Sequence, residues 1–296
     1  NFLDLCGLSP FVATSFSSQR NISNKMDTEL ISFGIEESKR LAEQMPAKMV
    51  TLCEDETFHP EVCLVAMDAV SNYIFTEKYV EKRDGATWNK TIQEALCGLP
   101  VKVVQVAGDE GRGLVNHVKK GLNVHHSSDC FHVPHEIGKG TSGALASEIR
   151  SAEKNHETAV KQTQKEEQRK VKFEDKPKRP RGRRPDFEKR IEEAKQVEEE
   201  AKAALQQACE NQEIVRTAKA EIGKAYHPFA PETGACQDKN KVKELLESCF
   251  DRIDDATSHL SERCRDRVEK AHRVVKNMVA TIAFFFLTVD QHMESH

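Results

Sequence analysis

The chain has 296 residues, of which 38% are apolar and 31% charged, with a net charge of −4 at pH 7. That length supports one large domain or two smaller ones, and the apolar share is enough for a core. The slight negative balance excludes binding of nucleic acid through bulk charge, so any such role must rest on local patches.

The nine cysteines are irregularly spaced and none forms a Cys-x-x-Cys pair. An odd count in a long chain argues against a disulfide framework and for mostly buried thiols in a reducing, cytoplasmic compartment. Asn1-Phe2-Leu3-Asp4-Leu5 lacks the basic start and apolar run of a signal peptide. The longest apolar run, Met278 to Val289, is shorter than the roughly 20 residues that a membrane-spanning helix needs. It reads as a buried helix, and no membrane partner is expected. The chain begins without Met and stops in mid-pattern at Met293-Glu294-Ser295-His296, which reads as a fragment.

In chain order, residues 1–48 form a helical lead-in. A polar turn at Ser17 to Asn24 precedes a predicted helix from Met26 to Met45, marked by Leu30, Phe33 and Leu41 and stopped by Pro46. Residues 49–141 read as the core. Met49 to Cys53, Val62 to Met67 and Tyr73 to Val80 are three strands with short connections, expected as an antiparallel meander. Ala86 to Cys97 is a helix closed by Gly98. Val101 to Ala107 lacks alternation and is expected to be buried on both faces. Gly111 to Lys120 is a helix closed by Gly121, and Asn123 to Ser127 a short strand. The order β-β-β-α-β-α-β predicts a mixed sheet with parallel crossovers in its second half. It is the order found in ribonuclease-H-like domains.

Residues 142–296 read as mainly helical. Ser147 to Gln168 and Asp186 to Lys224 are dense in Glu, Lys, Ala and Gln. The Pro- and Arg-rich break at 176–185 forbids a continuous helix between them, so a long charged hairpin is expected. Its second arm carries a thin stripe of Ile191, Val197, Ala201, Leu205 and Ala208. That stripe serves self-packing by default, with a coiled-coil partner as the alternative. Asn240 to about Gln291 is predicted helical, with Val242, Leu245, Leu246, Cys249, Ile253, Leu260, Val268, Val274, Val275 and Met278 along one broad face.

The chemistry rests on acids at strand ends. Asp55 follows the first strand and Asp109 the fourth, and in a ribonuclease-H-like sheet those two strands are neighbours. Two carboxylates there form a hard oxygen site suited to Mg²⁺ or Mn²⁺. Each has a plainer reading: Asp55 as a turn residue with Glu54 and Glu56 as solvent-facing neighbours, Asp109 as a helix cap. Asp129 is a supporting acid or a cap, and Glu148 a weaker candidate for a third acid.

Three strings, Glu54-Asp55-Glu56-Thr57-Phe58, Val106-Ala107-Gly108-Asp109-Glu110-Gly111-Arg112-Gly113-Leu114 and His126-Ser127-Ser128-Asp129-Cys130-Phe131-His132-Val133, resemble bacterial insertion-sequence transposases. The resemblance spans residues 25–150. It implies a ribonuclease-H-like core with a helical insertion and an Asp-Asp-Glu triad. It also implies two Mg²⁺ or Mn²⁺ ions held by Asp55 and Asp109, with a final Glu beyond the insertion and outside this chain. The implied activity is cleavage and strand transfer at transposon ends, with DNA as partner, assembly as a homo-oligomer and a bacterial, nucleoid-associated location. The alternatives are a non-catalytic DNA- or protein-binding remnant and a stand-alone ribonuclease-H-like nuclease.

Lys176, Lys178, Arg179, Arg181, Arg183 and Arg184 make the sharpest basic patch and are the candidate DNA contacts. Arg181-Gly182-Arg183 between prolines resembles arms that enter AT-rich minor grooves. A solvated hinge is the plain alternative. His117, His125, His126, His132 and His135 match no standard zinc spacing and are expected to be solvated or near DNA.

Overall fold

The structure is a computed structural model that describes residues 15–58, 60–129, 131–177, 182 and 184–294. Helix α1 (Phe16–Gln44) is capped by Ser15, whose hydroxyl accepts the Ser18 amide at 3.2 Å. The polar turn expected at Ser17 to Asn24 is helix instead, because that stretch contains neither Gly nor Pro and Ser15 supplies the cap. Pro46 follows the end of the helix, as expected.

Strands β1 (Lys48–Phe58), β2 (Val62–Asp68) and β3 (Ile74–Val80) form the expected meander. Helix α2 (Gly85–Leu96) starts at Asp84, which accepts the Thr87 amide, and stops before Gly98, whose φ of +79° suits glycine. Strand β4 (Val101–Gly108) then enters parallel to β1, and β5 (His125–Ser128) enters parallel to β4. The sheet is mixed, in the order β3-β2-β1-β4-β5.

Between β4 and β5 the chain makes a short helix α3 (Arg112–Asn116) and a π-helical segment (His117–Leu122). The single helix expected there is split. Its closure comes from Asn123, left-handed at φ +55°, and not from Gly121. One sheet face is filled by this layer: Leu52, Leu64, Ala66 and Val106 pack on Trp88, Ile92, Leu114 and Val118. β4 is not buried on both faces as expected; most of its residues are half-buried, because the second face is only partly covered.

The remainder is helical and has its own core. Helix α4 (His132–Glu174) begins well before the predicted Ser147 and runs unbroken through the 141/142 position. Pro134 sits in its first turn, where a proline costs no hydrogen bond. Helix α5 (Phe187–Ala225) returns beside it, and Phe173 meets Phe187 at the far end with ring centroids 5.2 Å apart. The hairpin packs on itself, as expected by default, although Val197 of the thin stripe is exposed.

The stretch expected to be helical from Asn240 is so, as three helices: α6 (Lys239–Thr257), α7 (Glu262–His272) and α8 (Val275–Glu294). Val242, Leu246, Cys249, Phe250, Ile253, Val268, Val275 and Met278 join Ile137, Leu145, Val215 and Ile222 in the second core. Leu245, expected on that face, is exposed. The apolar run at Met278 is buried only on its inner stripe, and Leu287 and Val289 are exposed. Taken with α7, the helical run Glu262–Glu294 is long and apolar enough by length and composition to cross a membrane, with 17% of its most apolar window buried.

The described cysteines are all free, and only Cys63 and Cys249 are buried. The expectation of mostly buried thiols is therefore not met for them: Cys97, Cys209 and Cys236 lie on exposed surfaces of helices and loops.

Candidate active site

Register builds the site. β1, β4 and β5 run parallel, and Glu54, Gly108 and Ser128 lie side by side on one row. The next residue on each strand is an acid: Asp55, Asp109 and Asp129. The Asp129 amide continues the ladder by donating to the Gly108 carbonyl at 3.0 Å. All three line one cavity of about 590 Å³, with Cys53, Val65, Met67, His132 and Tyr226 on its walls.

β1 continues through the acids, so Glu54-Asp55-Glu56 is strand and not the turn expected after Cys53. Successive side chains on a strand face opposite ways. Glu54 therefore enters the core and is only 2% exposed, with its Oε1 3.6 Å from His117 Nε2. Glu56, on the same side, accepts from Trp88 Nε1 at 3.1 Å and from Arg83 at 2.9 Å. Neither is the solvent-facing neighbour expected. Asp55 points to the other side of the sheet and is exposed.

Each aspartate has a local bond. Asp55 Oδ1 accepts the Glu56 amide at 2.7 Å, and Asp109 Oδ1 accepts the Gly111 amide at 2.8 Å. Asp129 Oδ1 accepts the Phe131 amide at 2.7 Å, while its Oδ2 lies 2.9 Å from His132 Nδ1. Asp55 thus bonds within the strand and not in a turn, and Asp109 and Asp129 bond the amides of Gly111 and Phe131, the N-cap residues of α3 and α4, without being the caps themselves. The negative field of the cleft is felt by Cys53: burial pushes its thiol pKa up, and the Asp68, Asp129 and Glu54 carboxylates push it further.

Several residues that spacing alone did not single out complete the walls. Glu110 accepts from Ser128 Oγ and from Asn277 Nδ2 (3.2 Å), tying α8 to the strand ends. Tyr226, the residue after α5, donates to the Ser128 carbonyl at 2.8 Å. Glu136 on α4 lines an adjoining cavity of about 370 Å³ with Asp109, Asp129, Lys139 and Lys270. Arg267, at 3.3 Å, and Lys270, at 3.7 Å, neutralise it. The string His132-x-x-x-Glu136 has one-turn helical spacing, and that was the signal available in the sequence.

Glu148 lies elsewhere. It sits about 24 Å along α4 from His132 and pairs with His259 at 2.8 Å. The histidines are not a solvated group: His117 and His126 are buried, and His125 stacks on Phe284 at 4.3 Å. His126 Nε2 donates to the Asp109 carbonyl at 3.1 Å, which holds that acid's backbone in place.

Of the basic patch, Lys178, Arg179, Arg181 and Arg183 lie outside the described residues. Lys176 is exposed, and Arg184 pairs with Glu174 at 3.2 Å and Glu188 at 3.8 Å. Both stand at the far end of the hairpin. At about 1.5 Å per residue, α4 carries that end roughly 60 Å from the acids.

Among the described residues, no group of three His, Cys, Asp or Glu side chains stands close enough to hold a metal ion. Register brings the three aspartates, whose carboxylate oxygens are hard donors, to one end of the sheet, but their side chains are not gathered into one coordination sphere. No family model matches this chain, and no curated protein matches it closely enough to count as a relative.

Proposed function

We propose that this chain is a DNA transposase, or a piece of one, with a ribonuclease-H-like core and a helical insertion. The observation that carries the reading is the row of Asp55, Asp109 and Asp129 at the ends of three neighbouring parallel strands. Strand order β3-β2-β1-β4-β5 with an antiparallel first half supports the ribonuclease-H-like assignment. The reaction is phosphodiester cleavage followed by strand transfer.

Asp55 and Asp109 would hold Mg²⁺ or Mn²⁺, with Asp129 beside them. Such ions, when bound, stabilise charge on the attacking and leaving oxygens. The chain's own part is positioning. Three carboxylates repel a phosphate until cations neutralise them, so the site is inert to nucleic acid unless it is loaded. Asp129 orients the His132 ring at the wall, and Tyr226 and Glu110 lock the helical half against the strand ends.

Calorimetric titration of Mn²⁺ into the chain and into its Asp55→Ala, Asp109→Ala variant tests this. Binding in the parent and its loss in the variant are expected. Equal weak binding in both would remove the catalytic reading. A non-catalytic, partner-binding role for the helical half is then favoured, since no metal-ready group is assembled among the described residues.

A further inference from the structure

Helix α1 spans 29 residues, about 43 Å, and Ala42 is its only buried residue. Its apolar side chains face outward: Leu30 is 61% and Phe33 63% exposed, with Ile22 and Leu41 exposed on the same side. Ile31 and Ile35 are exposed as well, on the opposite side of the helix. Helices in water draw most of their stability from packing an apolar face. No element of the described chain packs along this one.

The spacing says what covers it. Ile22, Met26, Leu30, Phe33, Glu37 and Leu41 follow one another at intervals of 4, 4, 3, 4 and 4, a pattern that reads the same from either end. A two-fold axis between Ile31 and Ser32 brings Leu30 opposite Phe33 of a second copy, and Ile22 opposite Leu41. Charge agrees with that direction. The first third of the helix carries Arg20 and Lys25 with no acid, while the last third carries Glu36, Glu37 and Glu43 against Lys39 and Arg40. Antiparallel pairing lays the basic first third along the more acidic last third of the partner and opposes the two helix dipoles favourably. Parallel pairing would stack Glu37 on Glu37 inside the seam, which is unfavourable for like charges.

We propose that α1 is a dimerisation element that pairs antiparallel with α1 of a second copy of this chain. The proposal is independent of the acid cavity, which α1 does not line.

Sedimentation equilibrium of the full chain at high micromolar concentration should give twice the chain mass. Leu30→Glu with Phe33→Glu should return it to a monomer with unchanged circular dichroism, because both side chains are exposed. Mixing Ile22→Cys with Leu41→Cys chains should then yield a disulfide between positions 22 and 41, identified by peptide mass. A monomeric parent overturns the proposal, including one whose α1 is covered by residues 1–14 of its own chain. So does a dimer that survives the two Glu substitutions. A 41–41 link in the Leu41→Cys chain alone, without a 22–41 link in the mixture, also overturns it.

Discussion

Glu54 and Asp55 are neighbours with opposite surroundings, and substitution should expose the difference. Glu54 and His117 are both sealed from solvent, and apart from their mutual contact at 3.6 Å neither side chain has a polar partner among the described residues. Glu54→Ala leaves the imidazole alone in an apolar layer, so a loss of about 3 kcal/mol is expected. Asp55→Ala, at an exposed position, should change stability by less than about 0.5 kcal/mol. Urea unfolding of both variants measures this, and similar losses would mean that the strand register is wrong. Asp68 sets a pH dependence. Bonds from Ser71 first, and also Lys48, lower its carboxyl pKa to about 2 despite its burial. Its folded pKa lies below its unfolded value, so its contribution is complete above pH 5 and is lost as pH falls through 4 toward 2. The amount is roughly 2 kcal/mol. Stability should therefore fall less steeply between pH 5 and pH 3 in Asp68→Asn than in the parent, as read by denaturant midpoints.

At the scale of elements, much was legible from local pattern. The three strands of the meander, α2 with its Gly98 stop, and the two arms of the hairpin follow from alternation, capping and helix-forming composition. The misreadings share one cause. Local preference ends β1 at Cys53, since Glu and Asp favour loops, yet β2 pairs with β1 as far as Phe58 and overrides that weak preference. The spacing after Asp109 predicts one helix, and the π-helical turn that follows α3 has no local signature, whereas α3 does. Its start is fixed by a close approach: a Cβ on Gly113 would lie 2.0 Å from the Arg83 carbonyl oxygen. That oxygen belongs to backbone and cannot swing aside. Gly113→Ala should thus cost more than about 2 kcal/mol, in a position that composition marks as unremarkable. Differential scanning calorimetry of that variant tests the α3–Arg83 contact.

At the scale of the molecule, the acids stand at one end of α4 and Lys176 and Arg184, the described members of the basic patch, at the other. A separation of roughly 60 Å corresponds to about 18 base pairs of duplex. One chain therefore cannot touch the same phosphates with both. If the hinge binds DNA, neutralising Lys176 and Arg184 should weaken binding to duplexes longer than about 18 base pairs. It should leave binding to a duplex half that length, held at the cation-loaded acids, unchanged. Fluorescence anisotropy with the two duplex lengths decides it. Equal weakening of both would place hinge and acids on a common DNA segment.

The sequence by itself determined what local pattern can carry: alternating strands, capped helices, the break at the prolines and the acids that follow the apolar runs. Only the tertiary structure decided that Asp129 stands in line with Asp55 and Asp109, that Glu54 is buried beneath them, and that Glu148, Lys176 and Arg184 lie far away. The physical reason is range. Helix and strand preferences arise between residues a few positions apart. The row of acids arises from which strands pair, and that is set by cores whose partners lie far apart in the chain.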